Sequence, residues 1–159
     1  METNLTYGPA AAEDGERIFR LCRQLFDRYE DPAVIDRPRV LAWIERKIRD
    51  HLGEYTRVCL GGAAAGWYRL HPENGAWELD NLYVLPPYRD RGIGTAVVRK
   101  CQEETGGPIF LYVFLRNERA VAFYSRLGFR PVRRVGPTRA ILRWIPGDGP
   151  TEKESTSGV

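Results

Sequence analysis

The sequence predicts a single mixed α/β domain, in which an antiparallel first half is followed by a strand–helix–strand crossover. Three observations support this fold class. Apolar residues recur at helical spacing near the amino terminus, two short strands flank a Gly-Gly pair, and a strand, a helix and a strand follow one another over residues 77–115. With 159 residues, one domain can bury a core without disulfides or a metal.

Two helices are predicted in the first part of the chain. Apolar residues are spaced three and four apart over residues 18–29 and again over 40–52, which is the period of one helical face. Pro32 ends the first helix. Asp36, followed by Pro38, is typical of a helix N-cap and first turn, so the second helix is expected to begin there.

Strands are expected before and after this helical pair. A short extended segment at 5–7 precedes it, and Gly61-Gly62 predicts a hairpin between strands at 55–60 and 63–70. A further strand is predicted at 77–84, ahead of the turn at Pro86-Pro87.

The second half returns to helical spacing at Ile93, and Gly106-Gly107-Pro108 closes that helix. Residues 109–115 are seven apolar residues in a row, which predicts a central strand covered on both faces. The remaining elements predicted are a helix over about 118–127, ended by Gly128, and a closing pair of strands at 130–135 and 139–145. We expect one domain over 1–145 and a disordered tail over 146–159.

Composition narrows the classes of function. The net charge of +3 and pI near 8.9 suit an anionic ligand, but no dense Lys/Arg run points to nucleic acid. Three separated cysteines and two histidines provide neither a disulfide framework nor a His-rich metal site, so no metal is expected. No signal peptide or membrane span is recognisable, and we expect a cytoplasmic protein.

The most informative segment runs from Leu82 to Thr95, at a strand-to-helix junction. Gly92 and Gly94 permit a tight backbone path along which consecutive N–H groups converge, and the helix start adds the positive end of its dipole. Arg89 and Arg91 add fixed positive charge, and the Thr95 hydroxyl adds a donor. The pattern predicts a cradle for a pyrophosphate, while an ordinary glycine turn is the alternative.

Two motifs together resemble the GNAT superfamily of acyl-coenzyme A-dependent N-acyltransferases. One is Arg89-x-x-Gly92-x-Gly94 after Leu82-Tyr83-Val84, and the other is Asn117-x-x-Ala120-x-x-Phe123-Tyr124-x-x-x-Gly128-Phe129. The resemblance implies a largely antiparallel central sheet of six to seven strands flanked by about four helices, with two splayed central strands that hold acetyl-coenzyme A. The coenzyme-binding residues that it implies are Leu82, Tyr83, Val84, Arg89, Asp90, Arg91, Gly92, Ile93, Gly94, Thr95, Asn117, Ala120, Phe123 and Tyr124.

The resemblance also assigns a catalytic acid. It places the Tyr124 hydroxyl at the coenzyme sulfur, where a phenol that is neutral at pH 7 can protonate the departing thiolate. Packing on the apolar stripe of its helix, with Phe123 and Leu127, is the alternative. Asn117 is expected to contact the pantetheine arm, and an Asn before Glu118 is also a good helix N-cap.

A general base is expected among the carboxylates of the strand at 77–84. Glu78 and Asp80 are two residues apart, so their side chains point to one side of the strand, about 7 Å apart, together with Leu82 and Val84. Either carboxylate could take the amine proton directly or through a water, and solvated or paired carboxylates are the alternative. His71 is a weaker candidate, and a backbone N–H near Tyr83 or Val84 would stabilise the oxyanion.

The acceptor is expected to be a primary amine of a small molecule or peptide. An acidic cluster at 27–36 could attract a cationic acceptor, although it could equally be a solvated loop. Two other functions are left open: a non-catalytic acyl-coenzyme A sensor and a nucleic-acid-binding domain. The second would need a clustered basic face and exposed aromatic residues, whereas Phe110, Tyr112 and Phe114 lie in the strand predicted to be buried. Neither nucleic acid nor membrane is therefore expected as a partner, and a homodimer is left open.

Overall fold

The computed structural model describes residues 4–147, which contain seven strands, four α-helices and three short 3₁₀ turns. The strands are β1 (Leu5–Pro9), β2 (Tyr55–Leu60), β3 (Ala63–Glu73), β4 (Ala76–Val84), β5 (Ile109–Phe114), β6 (Arg130–Val135) and β7 (Arg139–Trp144). The helices are α1 (Asp14–Tyr29), α2 (Arg37–Asp50), α3 (Ile93–Thr105) and α4 (Glu118–Arg126). The predicted order of elements is confirmed, while the predicted tail, apart from Pro146 and Gly147, lies outside the described residues.

The strands form one mixed sheet in the order β1-β2-β3-β4-β5-β7-β6. β1 with β2, β2 with β3, β5 with β7 and β6 with β7 are antiparallel. β4 and β5 are parallel, and their ladder pairs Trp77 with Ile109 and Glu78 with Phe110. This parallel pair, joined through α3, confirms the predicted crossover.

The chain divides into two compact units. Of the described residues, the first unit comprises 4–70 and 80–94, and the second comprises 71–79 and 95–147. β3 and β4 therefore each contribute residues to both units. The prediction of one domain over 1–145 stays a prediction.

Local signals in the first unit explain where its elements begin and end. The Asp36 side chain accepts a hydrogen bond from the Arg39 backbone N–H, so it caps α2 as predicted. Gly61 and Gly62 both adopt positive φ, as a tight hairpin turn requires. The core of the unit joins Ile18 of α1 and Ile48 of α2 to aromatic side chains of the sheet. Those aromatic residues are Tyr55, Trp67 and Tyr83.

β3 extends three residues beyond its predicted end at Leu70. The reason is the dipeptide Asn74-Gly75, where both residues adopt positive φ between β3 and β4. Asn-Gly is a preferred pair for two-residue hairpin turns, so the strand continues to the turn. The extension carries His71 and Glu73 onto the strand.

The prediction that β5 is covered on both faces is wrong. Ile109, Leu111 and Val113 are buried, but Tyr112 on the opposite face is 43% exposed. An apolar run can thus belong to a strand with one solvent-facing side, because aromatic residues tolerate partial exposure. No helix among residues 4–147 is long and apolar enough to cross a membrane.

Candidate active site

The first part of the candidate site is the loop between β4 and α3. Arg89, Asp90, Arg91 and Gly92 are all exposed. The Arg89 Nε donates to the backbone oxygen of Val84 at 3.0 Å, which fixes the loop to the end of β4. The Arg91 guanidinium lies 5.9 Å from the ring centroid of Tyr88.

The backbone of this loop has the form that an anion cradle needs. Asp90 and Gly92 adopt positive φ, of 62° and 81°, and a Cβ built on Gly92 would meet no atom within 4 Å. Glycine is therefore needed here for its backbone conformation, and the space beside it is open to a ligand. α3 begins directly afterwards at Ile93 and has no acidic residue in its first turn, so no carboxylate of that turn competes for the positive end of its dipole. Gly94 and Thr95 lie within this first turn.

α4, in the second unit, carries the second motif. The Asn117 side chain accepts a hydrogen bond from the Ala120 N–H at 3.2 Å, so the N-cap role is confirmed. This bond uses the carbonyl oxygen of the amide and leaves the amide nitrogen available to a ligand.

Tyr124 lies at the carboxyl end of α4 between two aromatic rings. The centroids of Phe123 and Phe129 are 4.9 and 5.5 Å from that of Tyr124, both in edge-to-face geometry. Among the described residues, its hydroxyl has no hydrogen-bond partner. Burial first, and then the nearby Cys101, raise the pKa of Tyr124, so the phenol keeps its proton at neutral and moderately alkaline pH. Packing thus fixes the position of the Tyr124 ring, while its hydroxyl group keeps a proton that it can donate.

Cys101 itself is fully buried on α3. Burial, and secondarily Glu104, raise the pKa of its thiol to about 12. A thiol that stays protonated is a poor nucleophile, so this cysteine is a packing residue.

Glu78 faces a histidine across the β3–β4 hairpin in the second unit. The His71 Nε2 lies 3.1 Å from the Glu78 Oε1, and the two side chains are only 12% and 14% exposed. The His71 Nδ1 lies 3.8 Å from the Glu73 Oε1, and the ligand atoms of the three residues all lie within 4.8 Å of one another. The prediction that the protein holds no metal stays a prediction.

Asp80 belongs to the first unit, and its carboxylate contacts two cationic side chains. Its Oδ2 is 2.9 Å from the Lys47 Nζ and 3.1 Å from the Arg69 Nη1. Arg69 is 4% exposed and also binds Glu54, with 2.8 Å between Nη2 and Oε1. That hydrogen bond, helped by a second from His51, holds the pKa of Glu54 below its usual value. The Asp80 carboxylate thus joins α2 to the sheet.

Sequence reasoning missed a polar network around Asn81. Asn81 has a φ of 61°, its amide nitrogen donates to the Tyr55 hydroxyl at 2.7 Å, and its oxygen accepts from the Tyr83 hydroxyl at 3.1 Å. Burial raises the pKa of both tyrosines and of the nearby Cys22 thiol. An asparagine inside a strand is unusual, and its position beside Asp80 was the available signal for an irregularity here.

The acidic cluster at 27–36 is explained by local structure. Asp27 forms two hydrogen bonds of 2.9 Å with Arg37, which hold the pKa of its carboxyl below the usual value. Glu30 is 9% exposed and accepts from the Asp31 N–H, while Asp31 caps a short 3₁₀ turn. With Asp36 capping α2, each carboxylate of this cluster has a structural partner, which favours local structure as the reason for the cluster. Attraction of a cationic acceptor by the cluster stays a prediction.

Comparison with known proteins places this arrangement in a family. Residues 17–129 match the Acetyltransferase (GNAT) family, and the chain belongs to it. Mycothiol acetyltransferase of Mycobacterium marinum is 38% identical over 87 residues, which are 54% of this chain, and the match spans only about a quarter (27%) of that relative's length. The N-alpha-acetyltransferase RimI of Mycobacterium tuberculosis is 27% identical over 96% of this chain and 93% of its own.

The fold comparison agrees with the family. The PaiA N-acetyltransferase of Thermoplasma acidophilum, crystallised in complex with coenzyme A, superposes with a TM-score of 0.69. The match covers 90% of this chain and 99% of that one, at 17% identity, so it shows a shared fold. The predicted family and its mixed, largely antiparallel sheet are thereby confirmed.

Proposed function

We propose that this protein is an N-acetyltransferase that moves the acetyl group of acetyl-coenzyme A to a primary amine of a small molecule or peptide. The amine would attack directly while both substrates are bound. The observation that carries the proposal is the Arg89–Thr95 loop, where open space beside Gly92 meets the amino end of α3. Acetyl-coenzyme A supplies the acetyl group as a thioester.

The coenzyme contacts follow the two motifs. Arg89, Asp90, Arg91, Gly92, Ile93, Gly94 and Thr95 would hold the pyrophosphate. Leu82, Tyr83 and Val84 would offer strand backbone to the pantetheine arm, and Asn117, Ala120 and Phe123 would contact the coenzyme from α4. The free amide nitrogen of Asn117 supports this role, because the cap occupies only the oxygen.

Tyr124 would act as the acid at the sulfur. A departing thiolate accepts a proton from a neutral phenol, and the raised pKa of Tyr124 keeps that phenol protonated. The hydroxyl therefore holds its proton until the thiolate leaves.

Of the two carboxylates, Glu78 is the better proposal for the base. Asp80 is held by Lys47 and Arg69, and its ion pairs would have to break before it could accept a proton from an amine. Glu78 instead lies beside His71, whose imidazole can itself exchange protons, so the pair could pass the proton onward. A water molecule between the amine and Glu78 could also carry the proton from the amine to the carboxylate.

The relatives suggest two classes of acceptor. One is named as an acetyltransferase of mycothiol and the other as an N-alpha-acetyltransferase. The second aligns with nearly the whole chain, which supports a peptide α-amine as the first class to test. A cytoplasmic location is part of this proposal, and a homodimer is left open.

Calorimetric titration with acetyl-coenzyme A, followed by thiol-release assays on amine panels, tests the proposal. Binding with turnover on any amine supports the enzyme. Binding without turnover on peptides, polyamines and aminoglycosides would favour the acyl-coenzyme A sensor. If neither acetyl-coenzyme A nor coenzyme A binds, the proposal is wrong. Dephospho-coenzyme A separates the contribution of the 3′-phosphate from that of the loop.

A further inference from the structure

The three-stranded part of the sheet formed by β5, β7 and β6 has two very different faces. On one face, the register pairs Ile109 with Trp144, Leu111 with Leu142 and Val113 with Ala140, and all six are buried. On the other face, Phe110 pairs with Arg143, Tyr112 with Ile141 and Phe114 with Arg139. β6 adds Arg130 opposite Arg143 and Arg133 opposite Ile141. We call this second surface the aromatic–arginine face.

This face concentrates positive charge. The register places four arginines on it, Arg130, Arg133, Arg139 and Arg143. The segment 106–147 as a whole contains eight arginines and one carboxylate, Glu118, whereas the rest of the chain has more carboxylates than lysines and arginines. None of the three strands carries an acidic residue. The modest net charge of +3 therefore hides a strongly basic region beside an acidic remainder.

Aromatic rings and guanidinium groups alternate on this surface. Tyr112 is 43% exposed, and the Arg139 guanidinium carbon lies 5.2 Å from its ring centroid. The Phe110 ring is 6.2 Å from that of Tyr112. Successive rings on one side of a strand are about 7 Å apart, which gives a row of planar groups flanked by cations.

These features fit one kind of occupant best. Single-stranded nucleic acid offers phosphates to arginine and bases that stack on aromatic rings and guanidinium planes. An acidic peptide would use the arginines but not the row of rings. A second copy of this face, docked about a two-fold axis, would oppose arginines with arginines, because these strands offer no carboxylate.

We propose that the aromatic–arginine face binds single-stranded nucleic acid, with bases stacked on Tyr112 and phosphates held by Arg139, Arg143 and Arg133. The expectation that the chain has no nucleic-acid partner relied on a buried β5 and on dispersed charge. The exposure of Tyr112 removes the first ground, and the register that brings four arginines onto one face removes the second. This proposal does not rest on the acetyltransferase activity, although the ladder pairs Glu78, the proposed base, with Phe110 at the edge of this face.

The test is fluorescence anisotropy of labelled oligouridylate and oligothymidylate, about twelve nucleotides long, with the full chain over about 50–200 mM salt. Tyr112→Ala should weaken binding roughly tenfold, and Tyr112→Phe should restore it, because stacking needs the ring and not the hydroxyl. Arg143→Gln should weaken binding and lower the salt slope by about 0.7. Arg39→Gln, which removes the same charge from exposed α2, should leave binding unchanged.

Several outcomes would overturn the proposal. Absence of binding at the lowest salt would do so directly. Equal competition by polyglutamate would assign the face to acidic peptides, and equal losses in Arg39→Gln and Arg143→Gln would leave only diffuse electrostatic attraction. Circular dichroism of Tyr112→Ala separates lost binding from lost folding. Comparison of oligouridylate with oligothymidylate shows whether the 2′-hydroxyl contributes to binding.

Discussion

Arg69 and Asp80 form a cross-strand ion pair in the first unit, with 3.1 Å between Nη1 and Oδ2 and side chains only 5% and 12% exposed. A buried guanidinium needs its partners, because an uncompensated charge in the interior is costly. Asp80 also binds Lys47, so one carboxylate forms ion pairs with cations from β3 and α2. Asp80, a candidate base by its position on β4, thus has a structural role, and its catalytic role stays a prediction.

We therefore predict that Asp80→Asn lowers the free energy of unfolding by about 2 kcal/mol. Glu54→Gln is the matched control, because Glu54 binds the same arginine but its side chain is 47% exposed, and it should cost less than about 1 kcal/mol. Urea denaturation measures both. A fully stable Asp80→Asn protein with abolished turnover would instead make Asp80 the base.

Replacing the proposed base should affect chemistry without affecting the fold. Glu78→Gln keeps the size of the side chain but cannot accept the amine proton, so kcat should fall roughly 10²-fold or more. Steady-state kinetics against pH should also give different profiles for Glu78→Gln and the wild type. Glu73→Gln, on the neighbouring strand and more exposed, should retain activity and its pH profile.

Much of the fold could be predicted because its signals are local. Helical spacing, the Asp36 and Asn117 caps, and the glycine pair at 61–62 each specify structure within a few residues. The two motifs located the loop and α4 for the same reason. The Asn74-Gly75 turn was equally visible and would have extended β3 to its observed end.

What could not be predicted depends on pairing between distant residues. Nothing in the sequence near Asp80 indicates Arg69 or Lys47 as its partners, since register and helix placement bring them together. The exposure of Tyr112 likewise depends on which face of the sheet is covered. Asn81 combines a backbone irregularity with a side-chain network that only the fold defines.

Removing the hydroxyl group of Tyr124 should separate its role in packing from its proposed role as proton donor. Tyr124→Phe keeps the packing against Phe123 and Phe129, so stability and coenzyme affinity should change little, while kcat should fall roughly 10–10²-fold. Because its pKa is raised, the wild-type phenol should not deprotonate below about pH 10, and the rate should not fall there for that reason. Steady-state kinetics against pH measure both effects. Unchanged turnover in Tyr124→Phe would remove Tyr124 from the chemistry.

β3 and β4 approach each other closely at Gly66. A Cβ at this position would lie 2.2 Å from the backbone oxygen of Tyr83, so Gly66→Ala must push the strands apart. We expect it to destabilise the protein by about 3 kcal/mol or more. Gly8→Ala on β1, where a Cβ meets no atom within 4 Å, should change stability by less than about 1 kcal/mol in the same urea titration. Equal stability of the two variants would contradict the observed close approach.

Gly92 allows a well-controlled test of the coenzyme loop. Gly61 also has a positive φ, so a substitution there reproduces the backbone strain outside the loop. A side chain at Gly92 meets no atom within 4 Å, but its φ of 81° is costly for any other residue. Gly92→Ala should therefore lower stability by about 1 kcal/mol and weaken coenzyme A binding roughly tenfold, measured by calorimetry. Gly61→Ala, with a φ of 61° and equally open space in the β2–β3 turn, should lose similar stability but bind coenzyme A normally. If both variants lose affinity alike, the effect comes from general destabilisation, and the loop is not the pyrophosphate site.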